Sequence, residues 1–308
     1  MPSTPRPPVV LAFDVGGTSV KAAALDSAFT VLAESRLPST TGPAILDVIE
    51  TAARDLLAAL PPGRRADVVG AGIAMPGLVD NARGICLRSV NLDITDLEVA
   101  GSMSERLGLP VRVDHDVAVA GEAVHRAVPV AEDPFVVIVG TGVAAVTFVH
   151  GRAVRGISGQ AGEFGHIVVR PGGPECRCGQ RGCLETMAGA GAIVRAYEAR
   201  TGERVDGARV VHERVPSDPV AAEVWGEAVS ALADGLVTVC ALLAPGAVLL
   251  GGGLSEAGDA LTTEVEVLMR ERSVVSAVPP ILVTELGSRA GLVGAAHRAL
   301  DAAAEAGA

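Results

Sequence analysis

The 308-residue sequence predicts an α/β chain built from two related halves, and three observations carry that reading. Apolar, β-branched strands alternate with stretches of helical period, as expected for helices packed on a sheet. A strand–glycine turn–strand unit spanning Leu11 to Val20 is echoed after residue 130 by Phe135 to Val149. The length also exceeds what one hydrophobic core comfortably serves, so two domains are expected.

Taken in order, residues 9–15 form a strand that ends in Gly16-Gly17-Thr18, and 20–26 return as its hairpin partner. Leu46, Val48, Ile49, Ala53, Leu56 and Leu57 give Ala44–Leu60 a helical period, and Pro61-Pro62-Gly63 stops it. Val68–Ala74 is a buried strand closed by Met75-Pro76-Gly77. Val111–Val113 is a short strand, after which Asp114-His115-Asp116 opens a helix over Val117–Ala127. The second half begins with Phe135–Val139, the turn Gly140-Thr141-Gly142 and the returning strand Val143–Val149. A strand over His166–Arg170, a long helix over Asp218–Leu243, a buried strand over Ala247–Leu250 and a last helix over Gly291–Ala306 complete the pattern. The Pro-rich residues 1–8 are expected to be disordered.

A net charge of −11 and the lack of a basic stripe argue against nucleic acid as a partner. The N-terminus shows no secretory h-region, because the apolar run Val9–Phe13 leads straight into Asp14. The longest apolar run, Phe135 to Val149, is broken by glycines and falls short of the ~20 residues of a membrane span. A cytoplasmic protein without a membrane partner is expected. Cys86 and Cys240 stand in apolar surroundings, where free cysteine acts as a small hydrophobe, in keeping with a reducing compartment. Lys21 is the single lysine.

The densest chemistry lies between Glu163 and Glu185. His166, Cys176, Cys178 and Cys183 supply imidazole and thiolate donors, a Cys₃His set that suits tetrahedral Zn²⁺, among glycines that allow a tight loop. Glu163 and Glu185 bracket that loop as solvated acids or as acceptors for sugar hydroxyls. Asp14-Val-Gly-Gly-Thr18 sets a carboxylate at a strand end before a turn free of bulk, which serves either an ordinary hairpin or a phosphate with Mg²⁺. Gly140-Thr141-Gly142 has the same chemistry, and two such turns could clamp a polyphosphate. Gly251-Gly252-Gly253 after a buried strand permits close approach of a flat ring or ribose, or serves as a plain strand-to-helix turn. Asp116, at a strand–helix junction, is either a helix cap or a general base.

Together with Met75-Pro76-Gly77, Gly162-Glu163-Phe164-Gly165-His166, Gly182-Cys183-Leu184-Glu185 and Gly291-Leu292-Val293-Gly294-Ala295, these motifs resemble the ROK family of repressors, uncharacterised open reading frames and sugar kinases. The resemblance runs from about residue 10 to 298. It implies an actin-like ATPase (ribonuclease H-like) α/β fold with a cleft between two domains, spanning 1–116 joined by helix 296–308, and 117–295 with the zinc loop. It further implies a hexose kinase that uses ATP, Mg²⁺ and Zn²⁺ and assembles as a homodimer or homotetramer. Asp14, Gly16, Gly17, Thr18, Gly140, Thr141, Gly142, Gly251, Gly252 and Gly253 match its ATP·Mg²⁺ positions. Asp116 matches the base that deprotonates the sugar 6-hydroxyl. Gly77, Asn91, His115, Asp116, Glu163, His166 and Glu185 fall at sugar-contacting positions, and His166, Cys176, Cys178 and Cys183 at the zinc ligands.

Three departures stand out. His115 replaces the asparagine that precedes the family's catalytic aspartate, Val143-Ala144-Ala145 follows the second turn, and Asp93-Ile94-Thr95 follows Asn91-Leu92 where a tryptophan is common. Glucose is the substrate the resemblance favours, with an amino-hexose as the rival raised by His115. A non-catalytic sugar sensor is the alternative of another class. Sugar-responsive repressors of the family carry a helix-turn-helix domain before the first phosphate turn, and thirteen residues ahead of Asp14 are too few for one.

Overall fold

The computed structural model describes residues 6–128, 133–156 and 161–307. Contacts divide these into two units: 6–123 with 289–307, and the described residues from 124 to 288. Of the Pro-rich terminus, residues 1–5 lie outside the described residues, whereas Arg64 Nη2 anchors the Pro7 carbonyl at 3.1 Å.

The first unit contains β1 (Val9–Val15), β2 (Ser19–Asp26), β3 (Val31–Pro38), α1 (Ile45–Ala59), β4 (Val68–Met75), β5 (Leu78–Asp80), β6 (Ile85–Ser89), β7 (Ile94–Glu98), α2 (Ala100–Leu107), β8 (Val111–His115) and the opening of α3 (Asp116–Ala127). Its main sheet has the order β3-β2-β1-β4-β8, and β5-β6-β7 form a small antiparallel sheet. β1 runs antiparallel to β2 and parallel to β4. The period of two in β1 serves both faces. Leu11 and Phe13 pack with Ile45, Ile49 and Leu56 of α1. Val10 and Ala12 turn to the other face, where they meet Leu292, Ala295 and Ala299. Those residues belong to α9 (Ala290–Ala306), the last helix of the chain.

The second unit follows the same plan. It contains β9 (Phe135–Val139), β10 (Val143–Val149), β11 (Arg152–Ala153), α4 (Glu185–Ala188), α5 (Ala190–Thr201), α6 (Ala208–Arg214), α7 (Pro219–Leu243), β12 (Val248–Gly251), α8 (Asp259–Arg272) and β13 (Ile281–Val283). The sheet order β11-β10-β9-β12-β13, with β9 antiparallel to β10 and parallel to β12, reproduces the first sheet strand for strand. Asp218 caps α7 by accepting from the Val220 and Ala221 N–H groups, and Pro219 pre-sets its first turn. α7 has the length and apolarity of a membrane span, but Val224, Trp225, Leu232 and Leu236 bury it in the core of this unit.

Two expectations need correction. The boundaries 116/117 and 295/296 move to 123/124 and 288/289, because Val119 of α3 packs with Leu292 and Ala295 of α9. No strand forms over His166–Arg170: Phe164–His166 is a 3-10 turn, and Val168 makes a single bridge to Cys183. The Val169 and Arg170 N–H groups both converge on the Gly182 carbonyl, at 2.9 and 3.1 Å, which leaves no ladder to extend.

Asp114, only 1% exposed, explains how α9 is fastened. Arg298 of α9 donates to its Oδ2 through Nε at 2.9 Å and also pairs with Glu122. Burial pulls the Arg298 pKa down, but Glu122 and Asp114 more than offset this and raise it. Removing one partner strands a buried charge, which costs about 3–5 kcal/mol. Arg298→Met is therefore expected to lower unfolding stability by about that amount in urea titrations.

Candidate active site

In the first unit, the candidate side chains Asp14, His115 and Asp116 lie at the ends of β1 and β8. The hairpin register places Asp14 directly opposite Lys21, with Lys21 Nζ 3.4 Å from Asp14 Oδ2. A Cβ on Gly291, in the first turn of α9, would lie 2.9 Å from the Asp14 carboxyl carbon, so the helix backbone closes on that carboxylate. Gly16-Gly17-Thr18 makes the turn between them: Gly16 N–H donates to the Ser19 carbonyl, and Ser39 Oγ donates to the Gly16 carbonyl at 2.5 Å. Asn91 stands beside this turn, its Cβ 3.6 Å from where one on Gly17 would be. Gly77 adopts φ +108° with its α-carbon against the Arg88 carbonyl, a place and conformation that exclude any other side chain.

Asp116 opens α3, and its Oδ1 accepts the Val117 N–H at 2.7 Å. His115 Nε2 lies 3.2 Å from the same oxygen, so the imidazole that replaces the family asparagine reaches the candidate base itself. The Asp116 side chain is 29% exposed. Two residues earlier Asp114 is buried under α9, so one short acidic segment holds a buried structural carboxylate and a partly exposed one.

In the second unit, Glu185 reaches the turn Gly140-Thr141-Gly142. Its Oε2 accepts the Val143 N–H at 3.2 Å and occupies the space a Cβ on Gly142 would need. The start of α5 braces the turn from behind, with Ala190 N–H donating to the Gly140 carbonyl at 2.9 Å. Gly251 and Gly252 pack against Ile138 and Val139 of β9, so of the third glycine run only Gly253 faces open space. It borders a cavity of about 340 Å³, with Ala190, Leu254, Ala257, His212 and Trp225 among its walls. The rings of His212 and Trp225 lie 4.4 Å apart. An apolar slot of this kind suits a flat heterocycle.

The ligand atoms of His166, Cys176, Cys178 and Cys183 lie within 4.8 Å of one another. The 3.7 Å between the Cys178 and Cys183 sulfurs matches the ~3.8 Å edge of a tetrahedron with 2.3 Å Zn–S bonds. His166 Nδ1 faces Cys176 Sγ at 3.5 Å, while Nε2 faces Glu163 Oε2 at 3.7 Å. A cation on Nδ1 would leave the Nε2 proton pointing to a carboxylate, the usual outer partner of a metal-bound histidine. The Cys178 thiol is held down to about 6, first by the Gln180 backbone N–H, while burial pushes the Cys183 thiol up to about 12. Gly182, at φ +77°, seats the loop against the Arg170 carbonyl with no room for a side chain. The donor set fits zinc.

The structure thus brings Asp14, Gly16, Gly17, Thr18 and Asn91 together in one unit, and Glu185 with the Gly140–Gly142 turn in the other. Sequence reasoning singled out Lys21 only for its rarity, quoted Gly291 as part of a motif without its contact to Asp14, and overlooked the His212–Trp225 walls. The hairpin register would have exposed Lys21, since residues equidistant from a two-glycine turn face one another.

The fold is the actin-like ATPase fold, in which each half carries the same five-stranded sheet. The ROK family model matches residues 10–302, and the chain belongs to that family. It is similar to a glucokinase of Streptomyces coelicolor, with 30% identity over 324 residues that cover 95% of this chain and 98% of the relative. The structure of a ROK family glucokinase from Streptomyces griseus in complex with glucose and AMPPNP aligns with a TM-score of 0.83 and 28% identity, covering 95% of this chain and 99% of that one. A xylose repressor of Bacillus subtilis is 28% identical over 169 residues, which cover 54% of this chain and 42% of the repressor.

Proposed function

We propose that this chain is an ATP- and Mg²⁺-dependent hexose kinase that phosphorylates the 6-hydroxyl of glucose or a glucose-like sugar. The observation that carries the reading is Asp116: a partly exposed carboxylate at the start of α3, with one oxygen oriented by the Val117 N–H and His115. The glucokinase relatives support the substrate class, and the turn beside Asp14 supports a phosphate donor.

In this mechanism Asp116 removes the proton from the sugar hydroxyl as its oxygen attacks the γ-phosphorus. The bond from that phosphorus to the β–γ bridging oxygen breaks, and ADP leaves. Backbone N–H groups of the glycine turns neutralise charge on the transferring group. Asp14 would hold Mg²⁺, which supplies further charge neutralisation at the phosphates. Glu163 and Glu185 accept hydrogen bonds from sugar hydroxyls, and Glu185 exchanges its Val143 N–H for them. His166, Cys176, Cys178 and Cys183 would hold Zn²⁺ as a cross-link that keeps both glutamates in place.

The test is ADP release from Mg²⁺·ATP across glucose, mannose, fructose, glucosamine, N-acetylglucosamine, N-acetylmannosamine and 3-amino-3-deoxyglucose. Glucose is expected to give the strongest response. A response confined to an amino sugar would reassign the substrate to the class raised by His115. Silence across the panel from protein that still binds sugar would replace the kinase with a sensor.

A further inference from the structure

We propose that a short stretch of α7, from Ser230 to Gly235, positions the two candidate sugar carboxylates, Glu163 and Glu185, through the residues beside them. The inference rests on the sugar reading of those glutamates above and adds to it positioning residues on a core helix.

The first contact is at Gly235, which is buried in α7. A Cβ there would stand 2.9 Å from Phe164 Cζ and 3.1 Å from Leu184 Cδ2. The missing side chain is therefore the seat of two buried residues, one directly after Glu163 and one directly before Glu185. Phe164 has little room to move elsewhere. Cβ atoms on the flanking Gly162 and Gly165 would each stand 2.0 Å from a carbonyl oxygen of β10, those of Ala145 and Val143. The Phe164 ring meets Phe135 edge-on, with centroids 5.1 Å apart. The backbone that carries Glu163 is thus wedged between β10 and α7. Because α7 is fixed along its length by the core of this unit, crowding at Gly235 is relieved in that backbone.

The second contact is made by the neighbouring Asp234. Arg170 donates through Nη1 to Asp234 Oδ2, and through Nη2 to Ser230 Oγ at 3.0 Å. Arg272, the last residue of α8, donates to the other carboxylate oxygen at 2.6 Å and to the same hydroxyl at 3.0 Å. Ser230 and Asp234 are one helical turn apart, a spacing that the rigid fork of a guanidinium spans. Arg170 stands at the neck of the cysteine loop, where its N–H donates to the Gly182 carbonyl and its own carbonyl accepts the Gly173 N–H at 2.8 Å. The Arg170, Asp234 and Arg272 side chains are 39%, 30% and 31% exposed. Ion pairs with that much solvent contribute little to stability, so holding the fold together does not account for them. What they fix is the place of the neck. The segment from Glu163 to Glu185 is therefore held on α7 at its start by Phe164, at the neck by Arg170 and at its end by Leu184.

Gly235→Ala is the sharpest test, because alanine is the better helix former and a glycine that served only the helix would be improved by the change. Calorimetry with glucose alone, and steady-state kinetics with Mg²⁺·ATP, are run on wild type and variant, with bound metal measured on the same samples. Gly235→Ala is expected to raise the glucose Kd and KM by on the order of 10-fold, less than the ~10²-fold that a 1 Å misplacement can cost. The KM for ATP, kcat at saturating glucose and the metal content are expected to stay near wild type. Phe164→Leu shortens the side chain that the new methyl meets, so the two changes are expected to be non-additive in glucose affinity. Arg170→Met leaves Asp234 paired with Arg272 and is expected to weaken glucose binding in the same way. Arg170→Lys recovers only part of that loss, since an ammonium lacks the fork that holds carboxylate and hydroxyl together. Glucose affinity unchanged in both Gly235→Ala and Arg170→Met would overturn the role of α7 and leave the sugar reading standing. A loss of affinity that appears only together with loss of bound metal would overturn it as well, in favour of the cysteines. Wild-type protein that binds no hexose would remove the sugar reading and this inference with it. Arg170→Met gives the answer even if Gly235→Ala does not fold.

Discussion

Asp116→Asn is expected to lower kcat by on the order of 10²–10⁴-fold, the range over which positioned acid–base groups act, while leaving sugar affinity nearly unchanged. The substitution keeps the shape of the side chain and an oxygen for the Val117 N–H at 2.7 Å, so α3 retains its first turn. What it loses is a site of negative charge able to take a proton. Single-turnover kinetics with Mg²⁺·ATP separates the chemical step from binding, and calorimetry with glucose alone measures the affinity. Undiminished transfer by the variant would remove Asp116 as the base. Asp114→Asn is the informative companion, because the two carboxylates stand two residues apart in different surroundings. Asp114 is buried against Arg298 and Asn81, so its replacement should appear first as lost stability and only then as lost activity. A protein in which both variants unfold alike would mean that Asp116 is held by the fold rather than offered to substrate.

The elements that sequence reasoning found are those with strong periodic or breaker signals. β1 with its glycine turn, the repeat at β9, α1 before Pro61-Pro62-Gly63 and α7 behind Asp218-Pro219 fall where expected, to within a residue or two. β3 escaped because it is an edge strand whose Glu34 and Arg36 face water, which breaks the apolar run. β5, β6 and β7 escaped because each is at most five residues long and carries charged side chains. The supposed strand after His166 failed for a tertiary reason: β-branched residues there have the right propensity, but the Gly182 carbonyl takes both N–H groups. In the site, motif residues were legible because special backbone or donor chemistry restricts residue type. Side chains whose role depends on what folds over them were not. Glu185 on the Val143 N–H, Gly291 on Asp14, and Trp225 with His212 beside Gly253 all depend on long-range packing that spacing does not reveal.

Removal of zinc is expected to have the other large effect. Residues 166–185 have little regular structure to hold them: a 3-10 turn, two isolated bridges and backbone hydrogen bonds into the Gly182 region. Four ligands drawn from both ends of this segment would replace that missing core, and structural zinc sites contribute folding free energy outright. Glu185 follows two residues after Cys183 and Glu163 precedes His166 by three, so a zinc cross-link of the loop would position both candidate sugar carboxylates. Chelation, or Cys183→Ser, is therefore expected to raise the sugar KM by about 10–100-fold, the loss typical of disturbed supports around a metal. Amide exchange should quicken over residues 166–185, with β1 and β4 protected as before. Because zinc displaces protons from thiols, its affinity should fall as the pH is lowered, and a competing chromophoric chelator would report this directly. Fully active protein that contains no zinc by elemental analysis would show that the cysteines fold the loop without it. A rise in KM confined to ATP would instead place Glu185 with the Gly140–Gly142 turn, on which its carboxylate already rests.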